Sequence, residues 1–315
     1  MRGPRAPRDL AAAPGYRALM KSPNALAAFA VATLGIAVFS AMDAVMKGLS
    51  LALGAYNALL WRSFAGVAIS GVLFLATRTA WPARSVMRVH LIRGSVSAVM
   101  AIAFFWGLAR VPMAQAVALT FIAPLIALFL AAVLLKEHVG RTAIIASLLA
   151  IVGVGVILTG QARAEMGPEA FHGTLAILLS AVCYAYNIVL MRQQAQVAGP
   201  IEIAFFQSLI VATMFSLALP LFGALPALVH LPAIIGSAAL ATVSLLLLSW
   251  AYARGQASYL APTEYTSFLW AALFGFLIFG ETVSPFTLAG AALIITGCVI
   301  AARGRGQISD VEAAI

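Results

Sequence analysis

Ten apolar stretches follow one another along this chain, near 25–47, 54–76, 89–109, 113–135, 142–160, 172–192, 200–222, 232–253, 258–280 and 285–302. The hydrocarbon core of a bilayer needs roughly 20 apolar residues per spanning helix, and these stretches meet that length. The connections are short, and most carry Pro, Gly or charge, as at Pro82, Pro112, Gly140, Gly167-Pro168, Gly199-Pro200, Gly223, Pro226, Pro232 and Pro285. Of 315 residues, 63% are hydrophobic and only 9% are charged. A soluble domain carries about 25% charged residues to face water, so lipid must solvate most of the outer surface here. The stretches show no alternation of period two, which excludes a β-barrel.

The formal charge is +9, but the basic residues sit at helix ends and in connections, not on one stripe. No nucleic-acid partner is expected. Their placement gives orientation instead. With the N-terminus cytoplasmic, the inner segments hold Arg2, Arg5, Arg8, Arg17, Lys21, Arg78, Arg84, Arg88, Lys136, Arg141, Arg192, Arg254, Arg303 and Arg305; the outer ones hold Lys47, Arg110 and Arg163. Both termini are therefore expected in the cytoplasm. Residues 1–24 read as a basic tail and not as a signal peptide, because the apolar run that follows is too long and lacks a cleavage site.

A single ungapped shift of 144 residues aligns the two halves. It places Trp106, Ala109 and Arg110 on Trp250, Ala253 and Arg254, Leu125 and Ala127 on Leu269 and Ala271, Glu137 on Glu281, Gly153 on Gly297, and Asp43 on Asn187. Five helices per repeat is an odd number, so the second repeat must enter the membrane from the opposite side. The expected fold is thus an all-α polytopic membrane protein, ten transmembrane helices as two inverted five-helix repeats over 25–160 and 172–302, with a second tail at 303–315. Such folds place their site near the midplane between repeats.

These residues resemble the drug/metabolite transporter superfamily, EamA type, across nearly the whole chain, about 26–160 and 172–302. The marks are Arg62 in the second helix, Phe105-Trp106-Gly107-Leu108-Ala109, Ala123-Pro124-Leu125, and the acidic Glu137 and Glu281 that close helices four and nine. The second repeat departs by having Phe268 where the first has Pro124, with Pro262 earlier in that helix. The resemblance implies secondary transport of small metabolites or drug-like molecules across the inner membrane. Proton coupling is a further expectation. The second to fourth helices are similar to those of uptake carriers for S-adenosylmethionine or riboflavin and of metallophore exporters.

Ionisable groups inside a span cost about 2.5–3.5 kcal/mol each on insertion scales, so each needs a reason to be there. Asp43 and Arg62 lie at compatible depths, as a gate or substrate contact or as a static packing pair. Lys47, four residues from Asp43, competes for that carboxylate. Glu264, two residues after the helix-breaking Pro262, suits a proton or a cationic substrate. Asn187, Gln207, Tyr186, Tyr265 and Trp270 are the polar and aromatic candidates for the cavity. Tyr252 and Tyr259 are assigned to interfacial belts. Arg93 is expected to snorkel to the inner interface, Glu202 to lie near it, and Glu137 and Glu281 to cap or pair at helix ends.

Two cysteines, Cys183 and Cys298, read as packing residues, and His90, His138, His172 and His230 all fall near helix ends. No metal site and no cofactor are expected, and no nucleotide loop occurs. An enzyme would need a nucleophile and base, or a metal cluster, facing each other within the spans, and the sequence offers neither. A purely structural membrane protein would not need Asp43, Arg62 and Glu264. The expected partners are the bilayer and a small solute, with monomer and homodimer both open.

Overall fold

The computed structural model describes residues 23–77, 81–135, 141–164, 167–254 and 257–312, and all regular structure among them is helical. The first half contains α1 (Pro23–Leu53), α2 (Ala55–Ala76), α3 (Arg84–Leu108), α4 (Met113–Thr120), α5 (Ala123–Leu135) and α6 (Arg141–Arg163). The second contains α7 (Gly167–Ala195), α8 (Pro200–Leu217), the short α9 (Leu219–Phe222), a 3-10 turn at Leu228–His230, α10 (Leu231–Tyr252), α11 (Ala257–Glu264), α12 (Thr266–Phe279) and α13 (Pro285–Glu312). Seven helices among the described residues are long and apolar enough to cross a membrane. The stretches read as continuous at 113–135 and 258–280 are each broken in two, at 121–122 and at Tyr265. The basic tail, Glu137 and His138 lie outside the described residues, as does the side chain of Tyr259.

Counterpart helices of the two repeats pack on each other directly. A Cβ on Gly153 of α6 would lie 2.7 Å from the Gly290 carbonyl oxygen of α13, and one on Gly290 would lie 2.6 Å from the Gly153 carbonyl. The contacts run Gly160 to Phe286, Gly153 to Gly290 and Gly297 to Ala146, so the two helices are antiparallel. Backbones approach this closely only where side chains are absent, the usual means of packing helices in lipid, where no hydrophobic drive is available between them. α2 and α8 are also antiparallel counterparts, with Gly66 against Ser208 and Gly71 against Phe205.

The other pairings come as exchanged sets: α1 on α10 and α7 on α3, α2 on α10 and α8 on α3, α1 on α12 and α7 on α5. Hydroxyls reinforce the first set. Ser180 of α7 donates to the Met100 carbonyl of α3 at 2.9 Å, and Ser244 of α10 donates to the Gly35 carbonyl of α1 at 2.9 Å. The repeated Trp-x-x-Ala-Arg has a local cause. Arg110 lies 3.5 Å over the Trp106 ring and Arg254 lies 4.3 Å over Trp250, and each guanidinium donates to the tryptophan carbonyl, at 2.9 and 3.4 Å. One arginine thus stacks on its own helix and satisfies a free carbonyl at its C-terminus.

The ends of the bundle differ. Around α4, the end of α1 and the start of α2, burial is continuous: Met46, Leu49, Leu59, Leu60 and Met113 to Leu119 belong to one core. At the end that carries the start of α1, the buried residues split into separate clusters, Ala28 and Ala32 with Ala251 and Leu260, and Phe74 with Phe206 and Ile210. α4 packs on α12, whereas the repeat-equivalent pair, α5 and α11, shows no comparable packing among the described residues.

Gly290→Ala is expected to lower the thermal midpoint of the solubilised protein, since overpacking costs about 1–3 kcal/mol. Gly155→Ala, also on α6 but with open space at its Cβ, should leave the midpoint unchanged or raise it.

Candidate functional site

The two broken helices meet. Phe121, at the α4–α5 break, and Tyr265, at the α11–α12 break, are equivalent under the 144-residue shift, and their rings pack edge-to-face with centroids 5.4 Å apart. At each break the chain tightens to an i→i−3 bond, Phe121 N–H to the Ala118 carbonyl at 3.3 Å and Tyr265 N–H to the Pro262 carbonyl at 3.2 Å. Those acceptors are again repeat equivalents. The prolines are not: Pro124 stands three residues after its break and Pro262 three before its own. Hydroxyls satisfy the freed carbonyls, from Thr120 to Val117 (2.7 Å), Thr266 to Thr263 (2.6 Å) and Ser267 to Glu264 (2.6 Å). The Cys298 thiol of α13 donates to the Phe121 carbonyl at 3.2 Å. Irregular backbone in lipid persists only where such partners exist.

Several polar groups on the helices are buried without partners. Asp43 of α1 is 6% exposed and makes no hydrogen bond. It lies within electrostatic reach of Arg62 of α2, beyond the 4.0 Å of a direct ion pair. The Nε of Arg62, the Oε1 of Gln207 on α8 and the indole nitrogen of Trp270 on α12 are buried and unpartnered. Such atoms cost about 1–3 kcal/mol each when left unmade, and each is an unused donor or acceptor.

Lys47 does not bond Asp43. Its ammonium forms an ion pair with Glu281, donates to the Val111 carbonyl at 2.7 Å, and lies 5.3 Å from the centre of the Phe279 ring. The other oxygen of Glu281 accepts from the Met113 N–H at 2.8 Å, at the first turn of α4. This ties α1, the α3–α4 connection and the α12–α13 connection together at the closed end, in keeping with a capping and pairing role for Glu281. Nearby, Tyr56 donates to the Phe215 carbonyl (2.5 Å) and Trp61 to the Ala224 carbonyl (2.9 Å), while Asn57 Oδ1 accepts from the Ala224 N–H (2.9 Å).

At the end that carries the start of α1, the expectation for Arg93 is corrected: it does not snorkel away, because its Nε donates to Asn187 Oδ1 at 3.1 Å and its Nη1 to Gln194 Oε1. Glu202, in the first turn of α8, is met by His90, whose Nε2 lies 2.9 Å from its Oε1. His90, near a helix end by count, is 1% exposed. Its Nδ1 meets Gln194 Nε2 at 2.6 Å and its ring stacks on Phe206 at 4.9 Å. Asn187 is thus held in this network, with Ser97 at 3.5 Å. Glu264 is exposed and accepts from the Tyr252 hydroxyl at 3.1 Å. Tyr186 is exposed on α7; Tyr184, two residues earlier, is half-buried and within electrostatic reach of Arg93, Glu264 and Tyr252.

An arrangement of paired broken helices between two repeats defines a class of membrane carrier. Residues 26–159 and 171–303 each match the EamA-like transporter family, and the chain belongs to that family. The Pseudopaline exporter CntI of Pseudomonas aeruginosa is 30% identical over 281 residues, covering 87% of this chain and 95% of its own. The S-adenosylmethionine uptake transporter of Rickettsia bellii is 24% identical, covering 83% and 88%. The Riboflavin transporter of Rhizobium johnstonii is 27% identical, covering 72% of each. A solved crystal structure of 21% identity superposes with a TM-score of 0.58 over 87% of this chain and 96% of its own, which shows the shared fold.

Lys47→Met is expected to cost about 3–5 kcal/mol, the usual penalty for removing one partner of a buried ion pair. It should lower the thermal midpoint and speed thiol labelling of a cysteine placed at Val111, which is 2% exposed in the closed end.

Proposed function

We propose that this protein is a secondary transporter that carries a small solute across the inner membrane by alternating access. Ten crossings follow if α4 with α5, α11 with α12, and α13 each form one. The basic end then faces the cytoplasm with both termini, and the conformation described is open inward and closed at Lys47–Glu281. The observation that carries the reading is the contact of two repeat-equivalent helix breaks, Phe121 and Tyr265, with α4 packed on α12 and no comparable packing of α5 on α11 among the described residues. Rocking one repeat against the other would open the closed end by exchanging the roles of the two pairs α4–α12 and α5–α11. The relatives carry the names of transporters, which supports a function without catalysis.

The solute site in this proposal comprises Asp43, Arg62, Gln207, Tyr265 and Trp270 around the breaks, with Asn187, Glu264 and Tyr184 toward the open end. Asp43 and Arg62 present opposite charges that do not neutralise each other directly, which suits a solute with both an anionic and a cationic group. The unpartnered indole and amide supply further polar contacts beside an aromatic surface. Pseudopaline, S-adenosylmethionine and riboflavin, named for the relatives, are the first solutes to test.

Purified protein in liposomes is expected to move at least one of these solutes without ATP, with flux in Arg62→Gln and Asp43→Asn reduced about tenfold or more, as for loss of one buried charged contact. Folded protein that moves none of them, or variants with unchanged flux, would overturn the assignment.

A further inference from the structure

We propose that His90 is a proton-binding site whose occupancy decides whether Arg93 stays tied to α7, and so couples proton uptake to the open end of the carrier. The proposal rests on the transport reading, but its evidence is a separate hydrogen-bond chain that joins α3, α7 and α8. That chain runs from Glu202 of α8 through His90 of α3, Gln194 of α7 and Arg93 of α3 to Asn187 of α7. Gln194 is 1% exposed, and both ends of its amide are engaged.

The direction of each bond is forced from the arginine end. A guanidinium only donates, so Gln194 must turn its carbonyl oxygen to Arg93 and its amide nitrogen to His90. The amide nitrogen also only donates, so His90 Nδ1 must accept and carry no proton. Its Nε2–H then donates to Glu202. The network as it stands therefore holds a neutral imidazole.

A proton arriving at Nδ1 makes both ring nitrogens donors. The Nδ1–H and the amide N–H₂ then face each other with no acceptor between them. Gln194 can relieve this by turning its carbonyl to His90, but the amide nitrogen then faces the Arg93 guanidinium, donor to donor. No orientation of one amide serves a protonated His90 and Arg93 together. Protonation strengthens the bond from His90 to Glu202 and breaks the one from Arg93 to Gln194, and Arg93 keeps only Asn187.

Among the described residues, the charged groups facing His90 are Glu202 directly and Arg93 through Gln194. α2 contributes the apolar Phe74, which packs on Phe206. Arg93 has a second destination once released. Tyr184 lies within electrostatic reach of both Arg93 and Glu264, and Glu264 belongs to α11, which shows no packing on α5 among the described residues comparable to that of α4 on α12. The freed guanidinium is drawn toward that carboxylate.

The test needs no solute. In a protein with Cys183 and Cys298 replaced by Ala, a cysteine is placed at Ser97, beside Asn187, and its labelling by a small thiosulfonate is followed from pH 8 to pH 5, each rate corrected for thiolate reactivity on an unfolded control. Release of Arg93 should raise the corrected rate about tenfold on acidification, from the loss of one buried charged hydrogen bond. His90→Gln should make the profile flat. Gln194→Glu should also make it flat, because a carboxylate accepts from Arg93 and from a protonated His90 at once. An unchanged pH response in both variants, or a flat profile in the starting protein, overturns the proton site. Liposome flux that is present yet independent of pH would overturn the coupling alone, and an absence of flux for every solute would overturn the transport reading and leave the labelling result standing.

Discussion

Backbone amides and carbonyls cannot be left bare in lipid, and that constraint shapes this chain more than any single contact. It confines the fold to helices, and it allows a helix to break only where other groups take over its carbonyls. Both conditions meet at Phe121 and Tyr265. There the hydroxyls of Thr120, Thr266 and Ser267 and the thiol of Cys298 replace helical bonds. The breaks are tolerated because antiparallel counterparts, held at Gly153 and Gly290 with almost no side chain between them, keep the surrounding frame rigid.

Much of this was legible in the sequence because lipid writes in a coarse alphabet. The apolar runs located most of the helices, though two runs hold breaks and the last helix continues to Glu312, and the 144-residue register identified counterparts that pack as exchanged sets. Trp-x-x-Ala-Arg proved to be a stack of the arginine on its own tryptophan, a contact between residues four apart that is conserved in register for a local reason. The break in the ninth run was signalled by Pro262, whereas Pro124 gave no such reading in the fourth; the two prolines lie on opposite sides of their breaks and conceal the equivalence of Phe121 and Tyr265.

What escaped the sequence were partners brought together over long separations. Counting from helix ends put Arg93 at the inner interface, where a cation is free to reach water. It is not free, because α7 sets Asn187 and Gln194 against it across about a hundred residues of chain. The same blindness paired Lys47 with Asp43, its neighbour one turn away, when the connection after α12 delivers Glu281. Periodicity reports which face of a helix is apolar; it carries no information on which polar residue of a distant helix will arrive opposite.

The two polar ties are not copies of each other. Under the repeat register Lys47 corresponds to Met191, Arg93 to Ser237, His90 to Ile234 and Gln194 to Ser50, so each tie exists at one end of the bundle alone. Two identical repeats would spend equal time facing either side, with no preferred resting pose. Here the two ends of the bundle are held by chemically unrelated fastenings, both formed in the conformation described. A single substitution can therefore tilt the balance between them without touching the path between the repeats, and a lineage of such carriers can change its working direction while leaving its cargo contacts alone.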